Sequence, residues 1–152
     1  MRDDLISLDE LVAHRGSMRL VDRLIEISET HAIAEAEIRP DNLFFSAERN
    51  VPAYVGLEMM AQTIAAIDGK TQRNAGKPPK IGFLLGCRRY NAASALFAEG
   101  DLLTIFAKMV FTDGAMFSFD CRIACAGAEI ANASLNVYAP DNPKTLLDRR
   151  LA

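Results

Sequence analysis

Val51-Pro52-Ala53-Tyr54-Val55-Gly56-Leu57-Glu58-Met59-Met60-Ala61-Gln62 is the stretch on which the fold turns. It opens a helix that is apolar all round: between residues 55 and 67 only Glu58, Gln62 and Thr63 are polar. Such a helix belongs in an interior rather than on a surface. A carboxylate on it must be paired, kept neutral or turned toward a cavity, because an isolated buried charge is very costly. Two readings of Glu58 stand side by side here. Either it is a working acid–base group, or it satisfies amides near the positive end of the helix dipole.

Away from this helix the patterning is different. Ser7-Leu8-Asp9-Glu10 has a capping residue and a carboxylate three positions on, which predicts a short N-terminal helix. Alternation predicts strands at about 20–28 and 31–38, joined by a tight turn at Glu29-Thr30. The long helix runs from about 53 to 74, stopped by Ala75-Gly76-Lys77-Pro78-Pro79. Beyond it, strands are expected at about 80–90, 101–112, 115–125 and 129–138. Asp113-Gly114 and Ala126-Gly127-Ala128 supply the last two hairpin turns. The order predicts an α+β fold, a curved antiparallel sheet wrapped around one long central helix. One small sheet cannot cover such a helix, so a dimer is expected to complete the core and protect the edge strands.

The 152 residues suit one domain, residues 1–152, with a core over about 11–139 and a polar, loosely packed tail over 140–152. Half the residues are apolar and the net charge is −3, which argues against nucleic acid as a partner. The N-terminus lacks a secretory pattern and no apolar run is long enough to span a membrane. Three cysteines, Cys87, Cys121 and Cys125, match no metal spacing. They read as buried small hydrophobes in a reduced, cytoplasmic protein. His14 and His31 are too few for a dedicated zinc site, and no metal or cofactor is expected. His31 opens a strand and is expected to be solvated.

Three motifs, in order, carry a family resemblance. Ala13-His14-Arg15 through Leu20-Val21-Asp22-Arg23 resembles P-H-R-x-P-x-L-L-V-D-R. Pro52 to Gln62 resembles P-G-V-L-x-x-E-A-x-A-Q, with the proline-to-glutamate spacing intact. Ile81-Gly82-Phe83-Leu84-Leu85-Gly86-Cys87-Arg88-Arg89-Tyr90, followed by Gly100-Asp101, resembles the central strand and the turn after it. Over about residues 11–138 the chain resembles the hotdog-fold 3-hydroxyacyl-(acyl carrier protein) dehydratases, and within them the divergent branch found with aryl-polyene biosynthesis. One departure matters. Ahead of the helix the family carries F-F-x-G-H-F-P, whose histidine is the catalytic base. Here Phe44-Phe45 continues as Ser46-Ala47-Glu48-Arg49-Asn50-Val51-Pro52, about four residues shorter and without a histidine.

The resemblance implies dehydration of 3-hydroxyacyl chains on acyl carrier protein to trans-2-enoyl chains, with Glu58 as the catalytic carboxylate. That chemistry needs a base near neutral pKa and an acid that keeps its proton. His14 is this chain's own candidate for the base. Gly56 would let an acyl chain approach the backbone, with N–H groups near it as donors to the enolate oxygen. Gln62, one turn below Glu58, either orients it or is a core amide bonded to backbone. Phe45 and Phe83 complete the expected substrate-binding set. Between Gly69 and Ala98 there is no Asp or Glu, while Lys70, Arg73, Lys77, Lys80, Arg88 and Arg89 all fall there. Lys77, Lys80, Arg88 and Arg89 are the candidate docking residues for an acidic carrier protein and its phosphopantetheine-linked acyl chain. The alternative is a solvated face, with positive charge favoured at a helix C-terminus. Two other functional readings compete: a hotdog thioesterase, or a subunit completing the active site of a histidine-bearing partner. Homodimer and heterodimer both stay open.

Overall fold

The computed structural model describes Leu11 and residues 18–77 and 83–139, the side chains of residues 83–85 and 88 excepted. The elements are β1 (Arg23–Ile27), β2 (His31–Glu37), β3 (Val51–Pro52), a 3-10 turn (Ala53–Val55), α1 (Gly56–Asn74), β4 (Phe83–Ala92), β5 (Leu96–Phe97), β6 (Leu102–Asp113), β7 (Met116–Cys125) and β8 (Ala128–Tyr138). Six strands form one antiparallel sheet in the order β1-β2-β6-β7-β8-β4. The sheet wraps α1, as its sequence pattern predicts. The expected N-terminal helix, apart from Leu11, the stretch 78–82 and the tail lie outside the described residues.

The register explains how the helix fits. One transverse row runs Ala34, Ile105, Ile123, Ala131, and the next runs Ala32, Ala107, Cys121, Ala133, Tyr90. Small residues dominate the concave side, so the helix can lie close to the backbone of the sheet. Met59, Met60, Ile64 and Ile67 fill the space between. The opposite face is polar: Ser118 Oγ donates to Asn136 Oδ1 at 2.7 Å, and the Arg122 guanidinium lies over the Phe106 ring.

Several boundaries differ from expectation for local reasons. β1 starts at Arg23 rather than near residue 20. The N–H groups of Leu20 and Val21 are turned inward to the Gln62 side chain instead of joining a ladder. The helix stops at Asn74 as expected: Lys77 N–H bonds the Gln72 carbonyl and Gly76 N–H the Arg73 carbonyl, with Gly76 at φ +73. The β7–β8 turn uses Ala126 and Gly127, both at positive φ. β3 and β5 pair only with each other, Val51 with Phe97 and Pro52 with Leu96. Two-residue strands have no periodicity to betray them.

The sheet leaves one stripe of α1 open. Leu57, Ala61 and Ala65 are partly exposed in the single chain, together with Glu58 and Asp68. β1 and β4 are the two edges of the sheet. Cys121 is buried, but Cys87 is exposed and Cys125 half-buried, which corrects the expectation of three buried cysteines. Cys87 sits on β4, an edge strand among the described residues, where two register breaks disturb the pleat.

Candidate functional site

Glu58 stands in the first turn of α1, on its open stripe. One turn on, Gln62 is fully buried, and each of its polar atoms has a bond. Gln62 Oε1 accepts the N–H of Leu20 at 2.7 Å and that of Val21 at 3.4 Å. Gln62 Nε2 donates to the Met18 carbonyl at 2.7 Å and to Glu58 Oε1 at 3.3 Å. Gln62 is thus a core amide held by backbone that also reaches the Glu58 carboxylate. Further along the helix, Gly69 lets the Leu11 backbone lie directly against α1, where an added Cβ would clash with the Leu11 carbonyl.

The motif Leu20-Val21-Asp22-Arg23 is fixed by charge as well. Asp22 Oδ2 accepts the Glu37 N–H at 2.7 Å, while Arg39 donates to both oxygens of Asp22 and to Asp41. These carboxylates hold the Arg39 guanidinium pKa above its usual value, Asp22 contributing most. Arg23 pairs with Glu35 at 2.6 Å. Arg19, Leu20, Asp22, Glu37, Arg39, Asp41 and Asn42 line a charged surface depression beside the segment. Exposed pairs of this kind contribute little energy each, but together they set the register of residue 22 against β2.

The stretch ahead of the helix, where the resembled family places its base, closes on itself. Ser46 and Asn50 exchange backbone hydrogen bonds at 3.0 and 2.7 Å, and Ser46 Oγ accepts the Arg49 N–H. Asn50, at φ +51, also accepts the Glu99 N–H through Oδ1 at 2.7 Å. Ala47, Glu48 and Arg49 stand exposed on this turn, with no imidazole among them. Phe45 is half-buried and packs against the core, while Phe44 is exposed.

Gly56 serves a different end from the one expected. Its open side is filled from the sheet: a Cβ would stand 2.5 Å from the Tyr90 hydroxyl, 2.9 Å from Ile123 and 3.2 Å from Phe97. Its N–H is already bonded to the carbonyls of Ala53 and Tyr54 in the 3-10 turn. That side of Gly56 is therefore packed against neighbouring side chains. Tyr90, which sequence reading passed over, donates its hydroxyl to the Ala53 carbonyl and so fixes the start of the helix. Burial pushes the Tyr90 pKa up to about 12, with Cys87 adding to it.

The other expected site residues divide by position. His14 and Lys80 lie outside the described residues, as do the side chains of Phe83 and Arg88. Lys77 is exposed just past the helix and Arg89 is exposed on β4. His31 does open β2, and it is held rather than free in solvent: Nδ1 bonds Ser28 Oγ at 2.8 Å and Nε2 bonds Glu26 at 2.6 Å.

An antiparallel sheet curled around one long helix defines a hotdog protein. Within that class, the model of the ApeP-like family, described as ApeP dehydratase, matches residues 6–148, and the chain belongs to that family. It is also similar to the 3-hydroxyacyl-[acyl-carrier-protein] dehydratase FabZ of Streptococcus sanguinis strain SK36. The two are 26% identical over 136 residues, 87% of this chain and 94% of that protein. FabZ of Streptococcus gordonii matches to the same extent. Among solved structures, the dehydratase heterocomplex ApeI:P from Xenorhabdus doucetiae superposes with a TM-score of 0.85 at 24% identity, covering 93% of this chain and 96% of that one. A hypothetical thioesterase with coenzyme A from Streptococcus pneumoniae TIGR4 shares the fold at a TM-score of 0.62 and 13% identity, covering 78% of this chain and 84% of that one.

Proposed function

We propose that this chain is a dehydratase subunit acting on 3-hydroxyacyl chains held as thioesters on an acyl carrier protein, in a pathway of the aryl-polyene type. Glu58 is the acid, and a related hotdog subunit supplies a histidine as base across the interface. The observation that carries this reading is the pairing of a first-turn carboxylate on the open stripe of α1 with a preceding turn, Ser46 to Asn50, that closes on itself without an imidazole. The relatives act in name on 3-hydroxyacyl carrier-protein substrates, and one structural neighbour is a dehydratase heterocomplex.

The chemistry follows from the roles. The base removes the proton beside the thioester carbonyl, a double bond forms toward the hydroxyl-bearing carbon, and that C–O bond breaks. Glu58 gives its proton to the departing oxygen, which leaves as water. A carboxylic acid can hold that proton when an apolar interface excludes solvent. Lys77 and Arg89, with Lys80 and Arg88, are the proposed docking face for the acidic carrier. His14 as base in an active homodimer is the competing arrangement.

Product analysis tests the reaction. With a 3-hydroxyacyl carrier-protein substrate, the functional complex should yield the 2-enoyl thioester. A free acid as sole product would instead make the chain a thioesterase.

A further inference from the structure

This inference rests on Glu58 being the acid and deepens that reading. Two segments brace the start of α1. The first, residues 18–22, grips the Gln62 amide through the Met18 carbonyl and the N–H groups of Leu20 and Val21, and Gln62 in turn reaches Glu58. The second, residues 39–50, includes the Ser46–Asn50 turn and passes through Val51 and Pro52 toward the helix. Asp22 and Arg39, 17 positions apart in sequence, join the two.

Every nitrogen of the Arg39 guanidinium is engaged at this junction. Nη2 donates to Asp22 Oδ1 at 3.1 Å, Nη1 to Asp22 Oδ2 at 3.3 Å, and Nε to Asp41 Oδ1 at 3.2 Å. Nη1 also lies 3.6 Å from Glu37 Oε2. Asp22 Oδ2 takes the Glu37 N–H as well, at 2.7 Å. On the other side, the Arg39 carbonyl accepts the Asn42 N–H at 3.0 Å. Asn42 then accepts the Phe44 N–H at Oδ1 (2.8 Å) and the Phe45 N–H at its carbonyl (3.0 Å). A planar fork meeting a carboxylate at two points fixes direction as well as distance.

We infer that Arg39 is a positioning residue whose fork locks residues 18–22 to the 39–50 segment, so that the two supports of the Glu58-bearing turn keep one register. It acts through Asp22 on one side and Asn42 on the other. The pair is partly exposed, Arg39 at 45% and Asp22 at 26%, so its contribution to overall stability is small. Its effect is on local geometry, and a small misplacement of an acid is enough to slow proton transfer. The charged depression lined by Asp22, Glu37, Arg39 and Asp41 is the outer surface of this clamp.

The test compares three variants of the full chain. Arg39→Met keeps an unbranched stem and removes the fork, Arg39→Lys keeps the charge, and Asp22→Asn keeps the shape of the acceptor. Circular dichroism and denaturant unfolding establish the fold and its midpoint. Amide hydrogen exchange by NMR then reads the N–H groups of Leu20, Val21 and Glu37 on one side of the clamp and those of Phe44 and Phe45 on the other. The functional complex gives kcat and KM. In Arg39→Met, exchange at both sets should quicken roughly tenfold, while ladder amides such as Ile105 and Ile123 keep their rates. The kcat should fall roughly tenfold with KM little changed. Arg39→Lys should resemble Arg39→Met, and combining Arg39→Met with Asp22→Asn should add nothing to either alone. Unmoved exchange at Leu20 and Val21 in folded Arg39→Met, or full rescue by Arg39→Lys, overturns the inference. Quickening spread evenly over the ladder amides overturns it too, since that marks a merely structural residue. If Arg39→Met does not fold, Asp22→Asn decides by the same exchange readings. Absence of dehydration by the wild-type complex would instead defeat the proposed function, while the exchange rates still answer for Arg39.

Discussion

The Tyr90 hydroxyl occupies the place that a side chain on Gly56 would need, 2.5 Å from the missing Cβ, and from there it bonds the Ala53 carbonyl. The start of α1 is thus locked to edge strand β4 by one tyrosine and one absent methyl group. Gly56→Ala should destabilise the fold by about 1–3 kcal/mol through overpacking. Tyr90→Phe in the same chain should restore part of that loss, because the clashing oxygen is gone. Denaturant unfolding of both single variants and the double variant measures the coupling. Strict additivity would show that the contact does not matter.

A second close approach lies at the other end of the helix. A Cβ at Gly69 would enter the Leu11 backbone rather than a movable side chain, so relief requires backbone to shift. Gly69→Ala should cost at least as much as Gly56→Ala, roughly 2 kcal/mol or more, with no rescue from any side-chain truncation nearby. Thermal unfolding checks it.

Two buried groups predict an alkaline weakness. Burial raises Cys121 to about 12, with Asp120 and Cys87 adding to it, and raises Tyr90 to about 12 as well. Both are neutral acids whose folded pKa exceeds the unfolded value. Their contribution is fully present below about pH 9, where neither state has lost the proton. It declines as the unfolded chain ionises, and it is gone once the pH passes about 12. Stability should fall across that window, and Cys121→Ala with Tyr90→Phe should flatten the fall. In the native protein a thiol reagent at pH 8 should label Cys87 first and leave Cys121 unlabelled until unfolding.

Sheet and helix were legible because their patterns repeat. The alternation His31-Ala32-Ile33-Ala34-Glu35-Ala36 maps directly onto a buried row of alanines, and the stop after Asn74 follows from Gly76. Gln62 was legible as a neighbour of Glu58, because four residues make one helical turn. Its backbone partners were not, since Leu20 lies 42 positions away in sequence. The packing of Tyr90 against Gly56 was not legible for a similar reason, since only the register that sets Tyr90 beside Ala133 brings the two together. Cys87 looked like core until the strand carrying it proved to be an edge.

Glu58→Gln keeps the side chain's length and removes its transferable proton. In the functional complex it should lower the dehydration rate on the order of a hundredfold or more, with the fold intact. Full activity in a folded variant would remove Glu58 from the chemistry.

In the proposed arrangement this chain supplies an acid and receives its base from another subunit. The direct measurement mixes the purified chain with a histidine-bearing hotdog partner and follows 2-enoyl thioester formation from a 3-hydroxyacyl carrier-protein substrate. His14→Ala is tested in this chain, and the partner's histidine is replaced in turn. The expected result is little turnover by this chain alone, strong turnover by the mixture, near-indifference to His14→Ala and collapse when the partner's histidine is removed. Strong turnover by this chain alone, abolished by His14→Ala with the fold intact, would contradict it.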